Sequence, residues 1–114
     1  MVTHAIVVAD REGIICSWSR GAEILFGHPA TDAVGRSLDL IVPEMMRDRH
    51  WRGFHAAMAS GAAKITGVTA PIGVLRKGGD IIEATGVLNL LRGPHGIVIG
   101  AIAVYEVPEA AVLH

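Results

Sequence analysis

Residues 43–59, Pro-Glu-Met-Met-Arg-Asp-Arg-His-Trp-Arg-Gly-Phe-His-Ala-Ala-Met-Ala, decide how this chain must fold, because they hold the one long helical pattern in its 114 residues. At about 100° per residue, Met46, His50, Phe54, Ala57 and Met58 fall on one stripe, while Asp48, Arg49 and Arg52 point elsewhere. His50 therefore points the way the core-facing side chains point. Pro43 suits a first helical turn, where a missing N–H costs nothing, and Glu44 beside it favours the positive end of the helix dipole. Gly61 stops the helix.

Outward from this helix the pattern turns to strands. Upstream, the apolar run 4–9, the turn Asp10-Arg-Glu-Gly13 and the run 14–19 predict a hairpin, with Ile14, Cys16 and Trp18 on one face of its second strand. That spacing makes Cys16 an inert core residue rather than a reactive thiol. Ser19 can cap a short helix over 20–26 that Gly27 ends, and the turn-rich segments 29–32 and 35–38 predict brief helical turns. Downstream, residues 65–76, 80–91 and 96–107 read as three strands joined at Lys77-Gly-Gly79 and Arg92-Gly-Pro-His-Gly96. Two strands, grouped helices and three strands imply an α+β fold with one sheet and its helices on one face.

One domain is all that residues 1–114 can build, with a core over about 5–107. No apolar run approaches the roughly 18–20 residues of a membrane-spanning helix. The start MVTHAIVVAD has no basic region and meets an aspartate early, so no signal peptide is read and a cytoplasmic location is expected. A net charge of −1 gives no electrostatic case for nucleic acid, and Arg47, Arg49 and Arg52 read as a solvated helix face. One cysteine excludes an internal disulfide. Aromatic residues make up only 4% of a chain that is 51% hydrophobic, so the core is built from small and branched side chains.

That composition bears on function. On the second downstream strand Ile82, Ala84, Gly86, Leu88 and Leu90 share the face that should meet the helices. On the third, Ile99, Ala101 and Ala103 share one face and Val98, Ile102 and Val104 the other. A floor of Ala70, Ala84, Gly86, Ala101 and Ala103 opposite His50 and Phe54 leaves a flat apolar cavity suited to a small or planar ligand, unless Met45, Met46 and Trp51 fill it.

The segments AIVVADREGIICSWSRGAEILFGHPATDAVGRSL, IVPEMMRDRH, VLRKGGDIIEATGVLNLL and GIVIGAIAVYE together resemble a PAS domain over nearly the whole chain. The resemblance implies a five-stranded antiparallel sheet flanked by helices and used for sensing, ligand binding and protein association, rarely for catalysis. Within the family the chain is most similar to the haem-binding oxygen-sensor PAS domains of the FixL kinases. Their P-E-x-x-R-x-R-H motif carries over onto Pro43, Glu44, Arg47, Arg49 and His50, which implies that His50 is the proximal ligand of haem b. Ile65, Gly67, Arg76 and Gly79 match a following pattern, and Val68, Gly86 and Leu88 fall where apolar side chains wall the distal side. Ala70 stands where that family has an oxygen-stabilising arginine, which implies weaker discrimination for O₂ and relatively better binding of CO or NO. The implied ligand contacts are thus His50, Met46, Phe54, Ile65, Val68, Ala70, Gly86, Leu88 and Ala101. Met46 sits one turn before His50 on the same helix and cannot serve as a second ligand from the opposite side.

Other chemistry is poorly supported. His4, His28, His55 and His95 have no spacing that assembles a zinc site. No nucleophile elbow, phosphate loop or dinucleotide fingerprint is present, so no enzyme is expected, and the N-C-R-F-L-Q motif of the flavin-binding relatives is absent. The expected function is a sensory signalling module holding haem b, or another small apolar ligand, between the long helix and the sheet. A competing reading is a ligand-free module that associates through the two-sided apolar strand 97–104 as a homodimer. No output segment follows Val107, so the expected partner is a separate signalling protein, or the chain is part of a larger one.

Overall fold

The computed structural model describes residues 3–62 and 66–112. Five strands, β1 (His4–Asp10), β2 (Ile15–Trp18), β3 (Ala70–Leu75), β4 (Ile81–Arg92) and β5 (Val98–Glu106), form one antiparallel sheet in the order β2-β1-β5-β4-β3. Between β2 and β3 come α1 (Arg20–Phe26), α2 (Ala30–Ala33), 3-10 turns at Leu38–Leu40 and Glu44–Met46, and α3 (Arg47–Ser60). A last short helix, α4 (Glu109–Val112), follows β5. The expected α+β architecture is present, with β1 and β5 at the centre of the sheet although they lie at opposite ends of the chain.

Local chemistry sets the element boundaries. Asp10 Oδ1 accepts from the backbone N–H groups of Glu12 and Ile14 at 3.0 Å, closing the β1–β2 turn over Gly13 at φ 78°. Ser19 Oγ accepts from Ala22 N at 3.2 Å as the α1 cap and from Ile6 N at 2.8 Å, so one hydroxyl starts the helix and ties it to β1. Gly27 ends α1 and Gly61 ends α3, both left-handed.

Register places Ala5, Tyr105, Gly86 and Ala70 in one row across the inner face, Val7, Ala103 and Leu88 in the next, and Ala9, Ala101 and Leu90 in a third. The β1 end of this face is fully covered: Ala5, Val7 and Ala9 are buried beneath α1 with Leu25 and Phe26. Phe26 is the centre of the aromatic packing, 5.1 Å from the Trp18 ring and 5.5 Å, edge-on, from Tyr105. Ala84 and Gly86 are buried as the alternation of β4 predicts, and Ile82 and Leu90 pack on the core.

Two bulges overturn the simple alternation elsewhere. Val8 pairs with Ser17 but Ala9 pairs with Ile15, leaving Cys16 as the extra residue. The inner face of β2 is therefore Ile15 and Trp18, both buried, and Cys16 is exposed rather than part of the core. Likewise Leu91 pairs with Gly100 and Arg92 with Val98, so Ile99 is extruded at 51% exposure while Val98 turns inward at 4%. Ile99 therefore does not share the inner face of Ala101 and Ala103.

The long helical pattern is also divided. Its first turn is 3-10 and α3 proper begins at Arg47, so Pro43 stands before the 3-10 turn instead of opening an α-helix. The tighter winding rotates Met46 off the stripe and leaves it 41% exposed, whereas Phe54, Ala57 and Met58 are buried as the spacing predicts. Arg47 leaves the solvated arginine face as well, donating to the carbonyls of Val42 and Asp39 at 3.2 Å.

Candidate functional site

His50 lies on the half-buried side of α3, stacked on Phe54 with ring centroids 5.9 Å apart and edge-on to Trp51 at 4.8 Å. Nδ1 is enclosed with no hydrogen-bond partner among the described residues. Burial lowers the imidazole pKa below its usual 6.5, with the nearby His55 adding to the effect and Asp39 opposing it. The neutral ring is therefore favoured at physiological pH, and its enclosed Nδ1 is unpartnered among the described residues.

Trp51 does not fill the space below His50. Its indole lies over Gly13, whose missing Cβ would fall 2.3 Å from two indole carbons, and its Nε1 donates to Asp39 Oδ1 at 2.7 Å. Met45 is 75% exposed and Met46 points outward, so neither methionine packs under the helix. His55 is exposed and stacked on Trp51.

On the facing sheet, register brings Ala70 beside Gly86, and Leu88 beside Ala103. Ala70 and Leu88 are only half-buried and stand outside the packed core, and Val68 is 53% exposed. Ala101 packs against the core, and Phe54 belongs to it. The space above Gly86 is already taken: a Cβ there would sit 2.8 Å from Tyr105 and 3.1 Å from Ile72. Tyr105 is buried enough to push its phenol up to about 12. Thr66 bridges Leu88, and Gly67 N donates to Leu88 O at 2.9 Å, holding the approach to β3 along β4. Ile65 lies outside the described residues. Register thus unites Ala70, Gly86, Leu88 and Ala101 on one face, and stacking unites His50 with Phe54. Met46 and Val68 join neither group.

Two open concavities border α3, one of them at its C-terminal end. One, of about 370 Å³, is bounded by Arg11, Met58, Arg92, Ile97 and Val98. The other, about 710 Å³ and similarly open to solvent, runs along Asp48, Trp51, Arg52 and His55. The first was not foreseen in the sequence, because Arg11 and Arg92 are 81 residues apart.

His28 shares one property with His50. Its Nε2 is enclosed without a partner, and burial, then the charges of Lys77 and Arg36, lower its pKa, with Asp32 opposing. A base whose folded pKa is depressed binds fewer protons than the unfolded chain, so stability is fully present above about pH 6.5 and falls as pH drops through the unfolded value. Melting temperature should decline between pH 7.5 and 5.5, and His50→Phe should shallow that decline. An unchanged slope in the variant would show that His50 protonates equally well in both states.

No helix among the described residues is long and apolar enough to cross a membrane. The profile of the PAS-fold family matches residues 2–106. An uncharacterised protein of Azorhizobium caulinodans is 33% identical over 86 residues, covering 75% of this chain and 12% of that protein. The sensor protein FixL of Bradyrhizobium diazoefficiens is 39% identical over 49 residues, covering 43% of this chain and 10% of FixL. The chain thus spans about a tenth of the length of these curated relatives. Among solved structures, the PAS domain of a Colwellia psychrerythraea protein superposes with a TM-score of 0.77 at 22% identity, covering 94% of this chain and 87% of that one. By its whole-length profile match and its sheet order, this chain belongs to the PAS-fold family.

Proposed function

We propose that this PAS domain is a sensory module that takes haem b between α3 and the sheet, with His50 as the iron ligand. The observation that carries this reading is the half-buried His50 imidazole, whose enclosed Nδ1 has no hydrogen-bond partner among the described residues and whose pKa burial lowers. Neutral imidazole is a good haem ligand, and a helix stacked through Phe54 holds the ring in place. Ala70 and Leu88, half-buried on the inner face, supply area that a planar apolar group would cover. The partial match to FixL includes no more than 43% of the chain and supports the reading at the level of sequence.

Haem bound at His50 supplies an iron centre that responds to a diatomic gas or to redox state. Ala70 offers no donor side chain where the resemblance to the oxygen sensors expects an arginine, which favours CO or NO over O₂. The protein residues ligate, stack and exclude water; none of them is required as an acid or a base, in keeping with a module that is not an enzyme. A cytoplasmic setting completes the reading.

The test is an absorption spectrum before and after adding haemin, then with dithionite and CO. We expect a sharp Soret band that shifts with CO and is lost in His50→Ala. Saturable haemin uptake with an unchanged band in the variant would remove His50 as the ligand, and no uptake would remove haem altogether.

One observation favours a second reading, association through the outer face. Register places Ile6 beside Val104, Val8 beside Ile102 and Val87 beside Val104, and Ile6 is 38% exposed. These side chains form an apolar strip on the face opposite the helices, suited to a second copy of the chain. A single monomeric mass by light scattering across a concentration series would exclude that homodimer.

A further inference from the structure

The end of α3 holds a cavity that neither the haem reading nor the dimer reading uses. It is about 370 Å³ and lined by Arg11, Met58, Arg92, Ile97 and Val98 together with the small residues Ala59, Ser60, Gly61 and Gly96. It lies some ten residues past His50, about 15 Å along the helix.

The two arginines are held from opposite sides. Arg11, from the β1–β2 turn, donates to the carbonyls of Met58 and Val98. Arg92, at the end of β4, donates to Gly96 O at 3.0 Å and to Gly61 O at 2.5 Å. Each guanidinium thus commits two of its five N–H donors to backbone and retains three. Neither forms an ion pair with a carboxylate among the described residues, and no acidic side chain lines the cavity. Of the carbonyls at this helix end that would repel an anion, the arginines cover those of Met58 and Gly61. The apolar part of the wall is chiefly Ile97, 64% exposed at the surface, with Met58 and Val98 buried behind it and Ser60 beside it.

Two fixed guanidinium groups without a carboxylate partner among the described residues, beside the exposed side chain of Ile97, fit a ligand with a carboxylate head and a short hydrocarbon body. We propose that Arg11 and Arg92 form a binding site for such a small amphiphilic carboxylate, separate from the His50 side of α3. Its volume is within the range of small-molecule sites. Because the ligand would touch the last turn of α3 and both ends of the β4–β5 hairpin, it would lock these elements together.

Sodium hexanoate is the probe, added at constant ionic strength while the amide NMR signals of Gly61, Gly96 and Ile97 are followed, with hexanol and sodium sulfate as comparators. Saturable shifts confined to those amides, with hexanol and sulfate each binding at least tenfold more weakly, are expected. Arg92→Gln should weaken hexanoate by about tenfold or more. Ile97→Glu places a carboxylate at the surface of the cavity without disturbing the core and should abolish binding; it serves also if Arg92→Gln does not fold. Absence of saturable hexanoate binding, equal binding of hexanol or sulfate, or undiminished affinity in Ile97→Glu would overturn the assignment. The Soret measurement is unaffected by any of these results, so the two sites stand or fall separately.

Discussion

Gly21→Ala should destabilise the domain by about 3 kcal/mol or more, enough to leave a marginal fold largely unfolded at ambient temperature. The added Cβ would lie 1.8 Å from the carbonyl oxygen of His4, 2.6 Å from its carbon and 3.0 Å from the Ala5 Cα. All three are backbone atoms of β1, a strand paired on both sides, so no side chain can turn aside. The first turn of α1 would have to lift from the sheet, stretching the Ser19–Ile6 link and withdrawing Leu25 and Phe26 from the core. Gly53→Ala is the control. That glycine is in the middle of α3 with nothing within 4 Å of a Cβ, so alanine should stabilise by about 0.5–1 kcal/mol through helix propensity alone. Urea denaturation of both variants checks the pair; equal midpoints would contradict the close approach of α1 to β1.

Phe26→Ala should cost about 3–5 kcal/mol. Phe26 is wholly buried, and its ring lies between Trp18 of β2 and Tyr105 of β5, joining the edge of the sheet to its centre. Relaxation into the hole is restricted, because Trp18 is anchored through Nε1 to His28 O at 2.9 Å and Tyr105 is wedged against Gly86. Phe26→Leu should retain more than half of the lost stability, since most of the volume is restored while the aromatic contacts are not. A loss below about 1 kcal/mol for the alanine variant in chemical denaturation would show that the aromatic cluster is not a centre of stability. Both substitutions act far from Arg92 and Ile97, so neither tests the cavity at the end of α3.

These two positions also mark where reading the chain stops being sufficient. Phe26 is recognisable as core from its place at the end of a capped amphipathic turn. Gly21 is not, because the requirement for glycine comes from a strand fifteen or more residues earlier and leaves no local trace. The surroundings of His50 divide in the same way. The side of α3 that carries His50, Phe54 and Met58 follows from helical spacing, and the inner-face set of β4 from strand alternation. The displacement of Met46 follows from a 3-10 turn that periodicity does not distinguish from an α-helix.

The sequence by itself determined the order of elements, the caps at Ser19, Gly27 and Gly61, and the turns at Gly13, Gly79 and Gly96, because these depend on backbone conformation within a few residues. It also determined the PAS resemblance, carried by those same local signals in a fixed order. Tertiary structure alone decided the strand order, the bulges that turn Cys16 and Ile99 outward, the close approaches at Gly21 and Gly100, and the meeting of Arg11 with Arg92. Each of these is a relation between segments far apart in the chain, and a bulge changes which face a side chain takes only once its partner strand is known. The neutrality of His50 belongs to the second group too, since it comes from burial under neighbours that the fold supplies.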